Sequence, residues 1–135
     1  MEGKKNIRVL LSKSDQDAHE VGIRYVASSL KDAGMEVIFT RYTIIDEVAE
    51  TALQENVDVI GLSFYGAGLR YDIPRLMELL KERNIEDTRV LVGGTITEQE
   101  KAELLKTGIR GVFTPGSGSV QGIVNFITSN IYGTG

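Results

Sequence analysis

Cysteine and tryptophan are absent from the 135 residues, histidine occurs once, and proline twice. Without cysteine there is no disulfide, no thiolate nucleophile and no cysteine-built metal centre. One histidine cannot build a zinc site, which takes three or four protein ligands. Basic charge is also scarce: 15 Lys and Arg stand against 19 Asp and Glu, a formal net charge of −4. That balance argues against a nucleic-acid binder, which normally carries a basic patch or stripe. No apolar run approaches a membrane span, and the run after Met1–Lys5 is too short for a signal peptide. A chain with no membrane segment and a cytoplasmic setting is therefore expected. Its 41% hydrophobic and 25% charged residues are ordinary for a folded protein. A chain of this length buries roughly two-thirds of its unfolded surface, enough for one domain. The domain is expected to take in residues 1–135, with a core over about 7–131.

What is present reads as five repeats of strand then helix. The strands are expected at Ile7–Leu11, Glu36–Thr40, Val57–Ser63, Arg89–Val92 and Gly111–Phe113. The first helix begins near Glu20, with Val21, Tyr25, Val26, Ser29 and Leu30 at helical spacing, and Asp32-Ala33-Gly34 stops it. The second covers about Asp46–Glu55, with Val48, Ala49, Ala52 and Leu53 on one face. The third covers roughly Asp72–Arg83, with Pro74 in its first turn, where the missing N–H costs little. For the fourth, Thr97 reads as an N-cap and Glu100 completes a capping box. The last helix covers Val120 to about Asn130. Strict alternation predicts an α/β fold: a five-stranded, all-parallel, doubly wound sheet with right-handed crossovers. The flavodoxin-like (Rossmann-like) order 2-1-3-4-5 is preferred, with its switch point between strands 1 and 3 at their carboxyl ends.

That topology collects four loops on one edge of the sheet: Ser14–Gly22, Ser63–Gly68, Gly93-Gly94 and Thr114–Gly118. Three of them are glycine-rich, whereas the loops of the opposite edge hold few glycines. The asymmetry points to close backbone approach by a ligand. Adjacent glycines ending a buried strand leave either a ligand trough or a tight helix contact. The first loop holds His19, with Asp17 two residues before it. A carboxylate accepting from one ring nitrogen would leave the other free for a metal, fixing the tautomer and raising ligand basicity. With one histidine, such a metal must arrive already held in a macrocycle, a haem or a corrinoid.

Asp17-Ala18-His19-Glu20-Val21-Gly22 resembles the Asp-x-His-x-x-Gly motif of cobalamin-binding domains. Ser63-Phe64-Tyr65 stands where that family has Ser-x-Leu, and Gly93-Gly94 and Pro115-Gly116 follow in order. The resemblance covers nearly the whole chain, from about Ile7 to Ile131. It is nearest to the small subunit or carboxy-terminal domain of adenosylcobalamin-dependent mutases. Methylmalonyl-CoA mutase and related acyl-CoA mutases are similar, as is the glutamate mutase small subunit. The resemblance implies a single cobalamin-binding domain that takes adenosylcobalamin base-off. His19 would be the lower axial ligand of cobalt, and Asp17 would orient it. Gly22 would leave room for the nucleotide tail, and Ser63 would contact its buried base. Gly93 and Gly94 would let the tail run along the backbone, toward Gly116 and Ser117 at its far end. Ser14, Asp15, Ala18, Tyr65 and Gly66 complete the expected cofactor contacts.

The same resemblance implies an isomerase subunit that is inactive alone and carries no catalytic residue of its own. Its expected partner is a larger (β/α)8-barrel subunit, and the corrin face with Tyr42, Tyr65 and Tyr71 is expected to look toward it. Three departures from the acyl-CoA mutase pattern stand out. Tyr65 replaces leucine, Asp15 and Ala18 replace glycines, and Arg41-Tyr42-Thr43-Ile44 lacks the family's wording. The alternative is a corrinoid carrier for methyl transfer or a cobalamin-responsive regulator. Such carriers usually bear a helical bundle before this domain, and six residues precede the first strand here, which favours the mutase reading. A phosphoacceptor receiver would need Asp after strand 3 and Lys after strand 5, where this chain offers Ser63 and Thr114. A flavodoxin would need a hydroxyl-rich phosphate loop where this chain carries Asp15 and Asp17.

Overall fold

Five strands and five helices alternate along the chain. A computed structural model describes residues 6–15, 21–64, 68–114 and 120–132. The elements are β1 (Arg8–Ser14), α1 (Val21–Asp32), β2 (Glu36–Tyr42), α2 (Asp46–Glu55) and β3 (Val59–Phe64), then α3 (Leu69–Glu82), β4 (Arg89–Gly94), α4 (Glu98–Lys106), β5 (Gly111–Phe113) and α5 (Val120–Tyr132). All strand pairs are parallel and the order is β2-β1-β3-β4-β5. The flavodoxin-like order expected from the alternation is the observed one.

Side-chain alternation sorts each strand onto two faces. Leu10, Ile60, Leu62, Val90 and Val92 pack with Val48, Ala49, Leu76 and Leu104 from α2, α3 and α4. Val9, Leu11, Val59 and Leu91 pack with Ile23, Ala27 and Leu30 of α1 and Val124 and Ile127 of α5. Both faces are covered, which is why the central strands read as continuous apolar runs.

Several boundaries differ from the sequence reading. β1 continues past Leu11 to Ser14, because its polar end is paired on both sides: Lys13 lies beside Arg41 on β2 and Ser63 on β3. Ser12 is fully buried, and its hydroxyl lies 2.8 Å from that of Thr40. Likewise β2 extends to Tyr42, two residues past the expected end. α3 begins at Leu69 rather than Asp72, because the N–H groups of Tyr71 and Asp72 both donate to the Gly68 carbonyl and close an earlier turn. Pro74 therefore sits inside the helix, where its ring denies a donor to the carbonyl four residues back. On α1 the buried line is Ile23, Ala27 and Leu30, and Tyr25 is 63% exposed. Leu53 is also partly exposed, so α2 buries Val48, Ala49 and Ala52. The Thr97–Glu100 capping box forms as expected, with Thr97 Oγ1 accepting from the Glu100 N–H at 3.1 Å.

Candidate functional site: a glycine-floored cleft at the carboxyl edge

The register aligns three rows of side chains on the face covered by α1 and α5. Val9 and Val59 form the first row, followed by Phe39, Leu11, Gly61, Leu91 and Gly111. The last row, nearest the carboxyl edge, is Arg41, Lys13, Ser63, Gly93 and Phe113. Glycines thus interrupt the side-chain layer at Gly61 and Gly93, in the centre of the sheet. Above that gap, α1 and α5 leave a cleft of about 290 Å³. Its walls are mostly aliphatic, from Ile23, Val26 and Leu30 on one side and Val120, Ile123 and Ile127 on the other. Ser63 and Thr114 bring hydroxyl groups to it, and Gly22 lies at its α1 end. An apolar cleft with a few convergent polar groups is the usual form of a small-molecule or cofactor site.

The two adjacent glycines of β4 prove to do different things. Gly93 lines the cleft, and a Cβ there would come within 3.3 Å of the Phe113 carbonyl oxygen. Gly94 has φ +127°, and a Cβ would lie 1.8 Å from the carbonyl oxygen of Phe64 on β3. The close approach at Gly94 is to a neighbouring strand, not to a helix, and no other residue fits there. The Gly93 position is open to a ligand.

Of the expected site residues, Gly22, Ser63, Gly93 and Gly94 are brought together at this cleft. Ser14 and Asp15 stand at the end of β1, farther along the same edge. Asp15 is exposed; its N–H donates to the Tyr42 carbonyl at 2.9 Å, and its carboxylate accepts from Thr43 Oγ1 at 3.3 Å. Asp17, Ala18, His19, Tyr65, Gly66, Gly116 and Ser117 lie outside the described residues. Among the described residues, no three His, Cys, Asp or Glu side chains cluster to hold a metal. No described helix is long and apolar enough to cross a membrane.

Two residues of this region were not singled out from sequence. Gly61 sits inside what reads as an unbroken strand, and only the register shows that it floors the cleft. Lys13 is 1% exposed, with Nζ donating to the Ser14 carbonyl at 2.8 Å. Lysine is almost never fully buried without partners. It places a cation at the root of the loop whose sequence carries Asp15 and Asp17. The available signal was alternation, since Lys13 falls in phase with Val9 and Leu11. One expectation is overturned: Tyr42 does not face outward. Its side chain is 2% exposed and its hydroxyl donates inward to Asp72 Oδ2 at 2.7 Å. Tyr71, by contrast, is 72% exposed at the start of α3.

The marked shifts in acidity lie away from this cleft. The Arg8 guanidinium, hydrogen-bonded to Glu36 at 2.8 Å, holds that carboxyl below its ordinary range. Arg75 does the same for Asp46 across the α2–α3 contact, at 2.9 Å.

An open parallel sheet with an apolar cleft beside the carboxyl ends of its central strands defines a ligand-binding domain of the doubly wound α/β class. The profile of the B12-binding domain matches residues 7–124, and the chain belongs to that family. It is 37% identical over 127 residues to the 2-hydroxyisobutanoyl-CoA mutase small subunit of Aquincola tertiaricarbonis, covering 91% of this chain and 93% of that one. It is 38% identical over 128 residues to the pivalyl-CoA mutase small subunit of Xanthobacter autotrophicus, covering 94% and 85% respectively. Among solved structures, a cobalamin-binding protein from Desulfitobacterium hafniense superposes with a TM-score of 0.75 at 16% identity. That match covers 90% of this chain and 57% of the other, and at such identity it bears on the fold alone.

Proposed function

We propose that the chain is the cobalamin-binding small subunit of an adenosylcobalamin-dependent acyl-CoA mutase, and that it holds the corrinoid base-off through His19. The observation that carries the subunit assignment is the correspondence with two mutase small subunits over more than nine-tenths of this chain. The cleft supports the mode of holding. Gly93 brings no side chain to its floor, and its aliphatic walls suit a flat heteroaromatic group taken out of water.

His19 would ligate cobalt from below, with Asp17 accepting from its other ring nitrogen. Gly22, Gly93 and Gly94 would line the path of the nucleotide tail, with Ser63 bonding to its base. Tyr65 and Gly66 would border the same space, and Gly116 and Ser117 its far end. The cofactor supplies the radical chemistry of a carbon-skeleton rearrangement; the protein supplies orientation and exclusion of water. A (β/α)8 barrel, which takes about 250 residues, would belong to a second subunit that binds the acyl-CoA.

Titration of the purified chain with cobalamin, followed by absorbance, tests the cofactor assignment, and saturable binding with a base-off spectrum is expected. Isolation from the native source tests the partner. Recovery with a larger acyl-CoA-binding subunit is expected, and recovery with a methyltransferase instead would replace the mutase reading with a carrier.

A further inference from the structure

We propose that Tyr42 is a positioning residue that ties two of the cofactor loops to one point. It ends β2, the edge strand, with its ring buried on the α2–α3 face. Its hydroxyl reaches across β1 to Asp72 Oδ2, 2.7 Å away in the first turn of α3. Its backbone carbonyl accepts the Asp15 N–H at 2.9 Å, where the chain leaves β1. The next residue, Thr43, donates from Oγ1 to the Asp15 carboxylate at 3.3 Å. One dipeptide therefore grips the root of the β1–α1 loop with its backbone and the entry to α3 with its side chain.

The Asp72 end is built to hold. A carboxylate acceptor gives a shorter and stronger bond than a neutral one. A carboxylate in the first turn is favoured by the partial positive charge of the helix start. Asp72 Oδ2 also lies 3.8 Å from where a Cβ on Gly68 would be, so it sits over the residue through which the chain enters α3. Gly68 in turn has φ +110° and accepts from the N–H groups of Tyr71 and Asp72 at 3.1 and 2.7 Å. Removing the Tyr42 hydroxyl frees Asp72, and with it the turn that Gly68 begins. A buried tyrosine needs some partner for its hydroxyl. What raises this one above packing is that both ends of the link lie at the carboxyl edge.

The inference rests on the cobalamin-binding reading for its purpose, but the link itself is testable without cofactor. Tyr42→Phe keeps the ring and removes only the donor, while Asp72→Asn keeps an acceptor oxygen. Amide exchange measured by NMR on the cofactor-free chain is expected to quicken about tenfold at Tyr71 and Asp72 in Tyr42→Phe, while Asp15, held by the backbone carbonyl that Phe keeps, changes less. Exchange in α4 and β5 should stay unchanged, and Asp72→Asn, which keeps an acceptor but loses its charge, should fall between the parent and Tyr42→Phe. With cobalamin added, Tyr42→Phe should bind several-fold more weakly and Asp72→Asn should lose less. Exchange that is unchanged at Tyr71 and Asp72, or raised equally throughout the domain, overturns the link. Local quickening with unaltered cobalamin affinity overturns its role in holding the cofactor. Failure of the parent chain to bind cobalamin counts against the cofactor reading and the role together, while the exchange result still decides the link.

Discussion

At the scale of single residues, adjacent glycines separate what folds the domain from what the domain binds. Gly94→Ala drives a Cβ into the Phe64 carbonyl at a positive φ, and is expected to cost about 2–5 kcal/mol in urea denaturation. Gly93→Ala is expected to leave stability within about 1 kcal/mol of the parent, because its nearest neighbour must give by only a few tenths of an ångström. Its methyl group would stand in the cleft, so cobalamin affinity should fall, read by the same titration on a folded variant. The sequence marks both residues without distinguishing them, since conformational freedom and open space look alike in a Gly-Gly pair. Gly61 and Lys13 were less legible still. Each lies in a strand whose neighbours set its role, and neighbours across a sheet are not written in the local sequence.

Elements were read most accurately where a chemical signal marks their ends. The α2 limits Asp46 and Glu55 and the Thr97–Glu100 box are the observed ones. Thr97→Ala removes the hydroxyl that accepts from the Glu100 N–H, leaves the reciprocal bond from the Thr97 N–H to the Glu100 carboxylate, and is expected to cost about 1 kcal/mol by thermal denaturation. Cobalamin affinity should not change, because α4 packs on the opposite face from the cleft. Elements were misread where polar residues continue a strand or an apolar one opens a helix. The end of β1 passes through Ser12 and Lys13, which hydropathy scores as loop although pairing on both sides keeps them in the sheet. The start of α3 lies three residues before the acidic residue that looked like its beginning, so Pro74 falls inside the helix and not in its first turn. These errors matter for function, because both fall at the carboxyl edge where Lys13 and Asp72 do their work.

At the scale of the whole molecule, the alternation of elements and the clustering of glycine-rich loops on one edge were enough to expect the edge at which the cleft lies. The cofactor contacts expected of it came only through resemblance. The opposite edge and the α2–α3 contact carry stability of a different kind. Glu36 and Asp46 ordinarily titrate at 4.5 and 3.8, and their arginine partners lower both values in the folded state. Between the lowered and ordinary values the unfolded chain binds more protons, so stability rises with pH through that window. The contribution is present above the ordinary values and is lost as pH falls through the folded ones. The melting temperature should therefore drop on acidification from about pH 5 to about pH 3, and Glu36→Gln with Asp46→Asn should flatten that slope. Both pairs are partly exposed, so the effect should be small and weaken with salt. The central claim concerns His19, and EPR of the Co(II) form of the cobalamin-loaded chain tests it most directly. The account predicts splitting from a single axial nitrogen that changes when the protein alone is labelled with heavy nitrogen and disappears in His19→Ala. Splitting that ignores the label, because it comes from the cofactor's own base, would contradict it.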